Sequence, residues 1–404
     1  MSEPATRPTA SPGRRASLVV FLTILLDLVG FGMLLPLLPF YALKLNASPA
    51  QIGLLFSSYS LTQLLCSPLL GRLSDRIGRR PVMLVSILGS AGAHLMFATA
   101  DSFALLVVAR SLAGVAAANY SIAQAWMADV TSAENRSKAM GLVGAAFGIG
   151  FVVGPALGSV LALTPMGAPA VPYTAAALSG LNFLIALAWL PESLSKEVRE
   201  RSQARPWVDP RGFQRMWRNP PLRGLMLLFF LVMFCFSLFE ATLALYCHRR
   251  FGFDEHRTSL LFVYVGVVLA VVQGGLLGRL IRAFGERRLI LGGIALMAAG
   301  LAILPLYPSL AVLLVSLLLL AVGSGVHNPS ATGLLSQITD ADSQGSTIGL
   351  SRSFGALART LGPVTGTWIF GRAIAWPFLT ASALMLVALV IAWDLLRRVG
   401  SAIS

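Results

Sequence analysis

The sequence predicts an all-α, polytopic membrane protein whose twelve transmembrane helices form two pseudo-symmetric bundles of six. Three observations carry this expectation. Of the 404 residues, 56% are hydrophobic and only 12% charged, about half the charge of an ordinary soluble domain. Apolar runs recur at 17–43, 51–71, 81–100, 103–127, 138–162 and 171–190, then at 222–247, 258–281, 288–306, 309–336, 346–371 and 374–396. Each is near the ~20 residues that cross a bilayer as a helix. The two halves also echo one another. Gly71-Arg72-Leu73 and Gly78 return as Gly278-Arg279-Leu280 and Gly285, and Val130-Thr131, Ala133 and Gly141-Leu142 as Ile338-Thr339, Ala341 and Gly349-Leu350. Gly154-Pro155 and Gly158 return as Gly362-Pro363 and Gly366. The three registers agree within one residue, as expected of a duplicated six-helix unit with a site between its copies.

These runs divide the chain into an N-terminal tail (1–16), a first bundle (17–190), a polar linker (191–221), a second bundle (222–396) and a C-terminal tail (397–404). Run 17–43 is long enough to span, so it reads as a retained first helix rather than a cleaved leader. Alternate connections differ sharply in charge. One set holds Arg7, Arg14, Arg15, the arginines of 71–80, Arg136, Lys138, the basic linker, Arg279, Arg282, Arg287, Arg288, Arg397 and Arg398. The other holds only Lys44, Arg249, Arg250, Arg257 and Arg372. The positive-inside bias places both termini and the linker in the cytoplasm. The net charge of +14 is spread over these connections, which suits anionic membrane lipids as partners and not nucleic acid. Cys66, Cys235 and Cys247 lack metal-ligand spacing and read as buried thiols.

Between the second and third runs lies Gly71-Arg72-Leu73-Ser74-Asp75-Arg76-Ile77-Gly78-Arg79-Arg80. Four arginines and a carboxylate cannot rest in hydrocarbon, so this stretch reads as a tight polar connection at the surface, with glycines for a sharp turn. It resembles the signature loop of the major facilitator superfamily, Gly-x-x-x-Asp-Arg-x-Gly-Arg-Arg, met at Gly71, Asp75, Arg76, Gly78, Arg79 and Arg80. The resemblance implies the major facilitator fold and a gate that holds the two halves together on the cytoplasmic side. Arg352, about one turn inside the eleventh run, is a candidate partner for Asp75 in that gate.

The first run carries Asp27 beside Gly30, Gly32, Pro36 and Pro39. A carboxyl near mid-span is expensive and by default functional, since it faces a polar cavity and can take up and release a proton. The pattern resembles the drug:proton antiporter branch, which includes tetracycline efflux proteins. The fourth run begins Arg110-Ser111-Leu112-Ala113-Gly114, similar to the family's Arg-x-x-Gln-Gly element with Ala113 at the glutamine. The resemblance implies proton coupling at Arg110; pairing of its guanidinium with carbonyls of the first helix is the alternative. The fifth run holds Gly150, Gly154, Pro155 and Gly158. Small residues four apart make a smooth packing face and proline adds a kink. This resembles the antiporter motif Gly-x-x-x-Gly-Pro-x-x-Gly-Gly, with Ser159 at its last position, and implies export in exchange for protons.

In the second half, Glu240 reads as lying toward the outer end of the seventh run, either a coupling acid or an interfacial, hydrated carboxylate. Arg359, mid-way along the eleventh run, is a counter-ion for Asp27 or Glu240, or a contact for an anionic substrate group. Asn119, Tyr120, Gln124, Gln273 and Asn328 are cavity candidates. His94 and His327 read as hydrogen-bonded packing residues. No P-loop, His-Glu-x-x-His element or cysteine-pair metal site occurs, so neither an ATP motor nor an enzyme is expected. The expectation is a monomeric, cofactor-free secondary transporter that exports amphipathic drugs against protons across a bacterial cytoplasmic membrane. Its rivals are transport of an endogenous metabolite or sugar, and a membrane-embedded enzyme or receptor.

Overall fold

The computed structural model describes residues 14–131, 135–195, 197, 199–200, 219–339 and 344–403. The N-terminal tail and most of the linker expected from the sequence lie outside them. Among the described residues there is no strand. The helices are α1 (Arg14–Leu34), α2 (Leu38–Lys44), α3 (Pro49–Ile77), α4 (Arg79–Ala98), α5 (Phe103–Ala116), α6 (Asn119–Val130), α7 (Arg136–Ala162) and α8 (Ala170–Trp189). The second half adds α9 (Pro220–Phe251), α10 (Glu255–Val271), α11 (Leu277–Ile303), α12 (Leu310–Gln337), α13 (Gln344–Phe370) and α14 (Trp376–Ile403).

Among the described residues ten helical stretches are long and apolar enough to cross a bilayer. One of them, Glu255–Ile303, breaks at Gly285 and therefore crosses twice. With α13, which is 27 residues long, the spans number twelve. The first span is α1 and α2 joined by a short turn at Pro36, with Pro39 in the first turn of α2, where a missing N–H costs nothing. The fourth is α5 and α6, interrupted at Ala117–Ala118. Polar side chains cap the helices on the side away from the signature stretch: Ser48 and Gln51 form a capping box on α3, and Ser102, Asp254 and Ser309 cap α5, α10 and α12.

The signature stretch departs from the expected loop. Helix α3 runs on to Ile77 and α4 starts at Arg79, so a single residue, Gly78 at φ 114° and ψ 152°, makes the turn. An L-residue resists that conformation and glycine does not. The second copy does the same at Gly285, φ 73° and ψ 157°. The duplication read from the sequence is thus also a duplication of backbone geometry.

Glycine decides the packing. In the first half α7 lies on α1, where a Cβ on Gly154 would stand 2.8 Å from the Val29 carbonyl oxygen. In the second half α13 lies on α9 in the same way, with Gly362 and Gly366 against the Phe234 and Leu238 carbonyls. Two seams join the halves. In the α3–α13 seam Gly53 meets Pro363, Val364 and Thr367, and Ser57 Oγ donates to the Thr360 carbonyl at 2.5 Å. In the α7–α10 seam Gly266 meets Phe151 and Val152, and His256 Nδ1 sits 2.8 Å from Ser159 Oγ. An ion pair, Lys44–Glu255 at 3.0 Å, closes the same side. Toward the signature stretch, Gly71, Gly144, Gly148, Gly274, Gly278 and Gly349 face open space, and Leu65, Leu69 and Ile77 of α3 are exposed. Both seams lie on the side away from the signature stretch.

Candidate functional site

The middle of the molecule holds the charged side chains that the apolar spans would otherwise reject. Asp27, half-buried in the middle of α1, is gripped by two amides from different helices. Asn119 Nδ2, at the first residue of α6, donates to Oδ2 at 2.6 Å. Asn182 Nδ2, in α8, donates to Oδ1 at 3.1 Å and to the Thr23 carbonyl at 3.3 Å. Both asparagines are fully buried. Neither Asn119 Oδ1 nor Asn182 Oδ1 has a partner.

Arg110 is buried and forms no ion pair within 4.0 Å among the described residues. Its guanidinium lies 4.4 Å from the Tyr59 ring centroid and 5.9 Å from that of Phe31, and Nε is without a hydrogen-bond partner. Aromatic faces attract a cation without neutralising it. The alternative reading, carbonyls of the first helix, is not what holds it. Arg359 on α13 interacts electrostatically with Tyr59 and Glu240, again with no ion pair inside 4.0 Å. Tyr59 thus stands among Asp27, Arg110 and Arg359, and Arg359 feels Glu240 as well, with no ion pair inside 4.0 Å among the described residues.

Helix α9 extends through His248, Arg249 and Arg250 to Phe251, so Glu240 lies about 16 Å from that end at 1.5 Å per residue, half-buried and within electrostatic reach of Arg359. The cavity candidates are dispersed. Asn119 holds Asp27; Gln124 accepts a very short hydrogen bond from Arg352 across the two halves. Tyr120 is half-buried on α6, within electrostatic range of Arg352. Asn328 is half-buried in α12, and Gln273 is exposed in a π-helical turn, Val272–Leu276, between α10 and α11. His94 packs on Gly30 and bonds Ser179 at 3.2 Å, while His327 is buried beside Gly293.

The signature turn is a second polar cluster. Asp75 pairs with Arg79 at 2.5 Å, while Arg352 bonds Gln124. Buried Arg79 also holds Asp129 of α6 at 3.2 Å and Ser74 at 2.7 Å. The Glu192 carboxylate accepts from the backbone N–H groups of Arg79 and Arg80 at 2.9 and 3.2 Å, an acid placed on the positive end of α4. Trp126 Nε1 donates to the Pro191 carbonyl at 3.0 Å and Ser193 Oγ to Asp129 at 2.9 Å. The start of the linker is thereby stitched to the turn.

Sequence reasoning passed over Asn182, Tyr59 and Glu192. Asn182 carried a usable signal, a lone amide in the apolar run Leu181-Asn182-Phe183-Leu184. Tyr59 and Glu192 carried none apart from their partners.

The sequence model of the Major Facilitator Superfamily matches residues 20–283 and 274–402. The chain belongs to the major facilitator superfamily. Relatives within the superfamily include human major facilitator superfamily domain-containing protein 10, 32% identical over 93% of this chain and 92% of that one. The class C tetracycline resistance protein of Escherichia coli is 30% identical over 93% of this chain and 95% of its own. The crystal structure of the human organic anion transporter MFSD10 superposes with a TM-score of 0.71 at 30% identity, covering 94% of this chain and 99% of that one. A bacterial homologue of the lysosomal transporter Spinster, in an inward-facing and occupied conformation, gives a TM-score of 0.77 at 15% identity, which shows the shared fold. The resemblance to tetracycline efflux proteins stands on these relatives, and the twelve-span, two-bundle architecture is the superfamily's own. This is a multi-pass membrane transporter.

Proposed function

We propose that this transporter is a proton-coupled antiporter that moves an amphipathic compound out across a bacterial cytoplasmic membrane, with both termini and the signature turn in the cytoplasm. The observation that carries the reading is Asp27, a carboxylate at mid-span that two neutral amides hold and no cation neutralises. Such a group can take a proton from one side and release it on the other as the halves rock about the site. Glu240, within electrostatic reach of Arg359, is the second titratable group in the same space. No cofactor is required, the membrane lipids are the solvent of the fold, and one chain suffices.

A second reading concerns the cargo. Buried Arg110 and half-buried Arg359 form no ion pair within 4.0 Å among the described residues, which suits a compound that brings its own anionic group alongside an apolar or aromatic body. The relative described as an organic anion transporter fits that chemistry. Transport of an endogenous metabolite with such a group is compatible with the same site.

The test uses purified protein in liposomes with an internal pH dye and a preformed proton gradient. Tetracyclines, fluoroquinolones, cationic dyes and organic anions are added in turn to wild type and to Asp27→Asn. Collapse of the gradient on addition of a compound, lost in Asp27→Asn, is the expected outcome. Collapse that survives in the variant moves the coupling to Glu240. No response to any compound, from folded protein, overturns the drug-exchange reading.

A further inference from the structure

Asp27 must be satisfied twice, once as a carboxylate that only accepts hydrogen bonds and once as a carboxyl whose O–H needs an acceptor. A buried donor left without one costs the full desolvation penalty. A lysine or arginine beside Asp27 would serve only the charged form, whereas a carboxamide serves both, because turning it exchanges its NH2 for its oxygen.

The two amides are not equivalent. Asn182 spends its NH2 on the Asp27 carboxylate and on the Thr23 carbonyl together, so turning it would break two bonds. Asn119 spends its NH2 on Asp27 alone, and its oxygen, buried, is without a partner. Asn119 also stands at the break in the fourth span, directly after Ala117–Ala118. Helix α6, which it begins, carries two further contacts of the gate: Gln124 bonds Arg352 of the other half, and Asp129 bonds Arg79 of the signature turn.

We propose that Asn119 is a positioning residue that turns with the protonation of Asp27, while Asn182 is the fixed anchor, and that α6 carries this change to the gate. When a proton from cavity water binds Asp27 Oδ2, the new O–H donates to Asn119 Oδ1 in the turned amide; on release, the NH2 returns to the carboxylate. The proton enters from and leaves to water, and nothing else is consumed. This rests on the proton-coupling reading given above.

The other acid able to produce the effect is Glu240 of α9, beside Arg359 of α13, and Asp27→Asn separates the two. Tyr59 of α3 interacts electrostatically with Asp27 and with Arg110 of α5, and His94 of α4 contacts Gly30 one turn away. Helix α7 carries only Arg136 and Lys138, at its first turn, and α8 only Tyr173, nine residues before Asn182. Helix α6 itself carries Tyr120 and Asp129.

The experiment is a pair of spin labels on exposed positions of the signature side, at Leu73 on α3 and Gly349 on α13, in full-length protein with Cys66→Ser. The distance is followed from pH 5 to 9. Wild type should show a pH-dependent distance with a single midpoint. In Asn119→Leu, of similar size and unable to hydrogen-bond, the midpoint should move by about one pH unit, the size of one hydrogen bond. Asn119→Gln, which keeps an amide, should restore it, and Asn119→Ser replaces the leucine variant if that fails to fold. A wild-type midpoint in Asn119→Leu, or in Asn119→Ser where it stands in for the leucine variant, with Asp27→Asn unresponsive, overturns the role of Asn119 alone. A pH response undiminished in Asp27→Asn overturns the coupling reading beneath it.

Discussion

At Gly78 the chain turns from α3 into α4 with φ 114°, and at Gly285 it turns within α11 with φ 73°. The backbone device is the same, and its surroundings are not. Around Gly78, Arg79 gathers Asp75 and Asp129, and Glu192 caps the helix so closely that a Cβ would stand 2.3 Å from its Oε2. Around Gly285 there is open space, and Arg282 stands where the first copy has Asp75. Among the described residues the duplicated unit keeps its bend in both halves and its polar knot in the first. The first half therefore moves at this turn only by breaking charge-assisted bonds.

Removing the centre of the knot should separate the copies most. Arg79→Ala leaves Asp75 and Asp129 without their shared cation, and should cost about 2–3 kcal/mol, below the figure for a fully buried pair because both acids reach water. Thermal unfolding in detergent should show a clear drop, and an unchanged midpoint would mean the knot is decorative. Glycine replacement compares the copies directly. Gly78→Ala meets both an unfavourable φ and the Glu192 carboxylate and should cost about 2 kcal/mol, whereas Gly285→Ala meets the φ alone and should cost about 1. Equal losses would show that the surroundings do not matter. Glu192→Gln keeps the shape of the cap and removes its charge, for about 0.5–1 kcal/mol at a helix N-terminus; the loss should shrink in high salt. Arg282→Asp, which restores the missing acid in an open setting, should change stability by less than about 0.5 kcal/mol, and a large gain would mean the second knot is latent.

The spans were legible because an apolar run of bilayer length has few alternatives, and Asp27 because a charge inside one is conspicuous. The glycine pattern of α7 was legible too, and it packs on α1. The turn at Gly78 was misread as a loop because polarity says where water is, not whether the backbone is helical; α3 stays helical through Ser74, Asp75 and Arg76 and breaks at one residue. The end of the seventh run was less legible, because α9 continues past it under three basic side chains, which suit a helix C-terminus. The structure holds Asp75 on Arg79 and Arg352 on Gln124 in place of the expected pair. The amide grip on Asp27 joins residues 92 and 155 positions apart, a distance across which a single sequence carries no signal.

The Lys44–Glu255 pair has a consequence for how the transporter senses its surroundings. It joins the two halves on the side opposite the signature turn, and more than half of the lysine side chain is open to solvent. Mobile ions weaken such an exposed contact and leave the buried seam glycines untouched, over a range set by a Debye length of about 10 Å at 0.1 M salt. Salt on that face therefore weakens one exposed tie between the halves, worth at most about 1 kcal/mol. Raising salt on that face of a liposome should speed opening there, and Lys44→Gln should abolish the dependence.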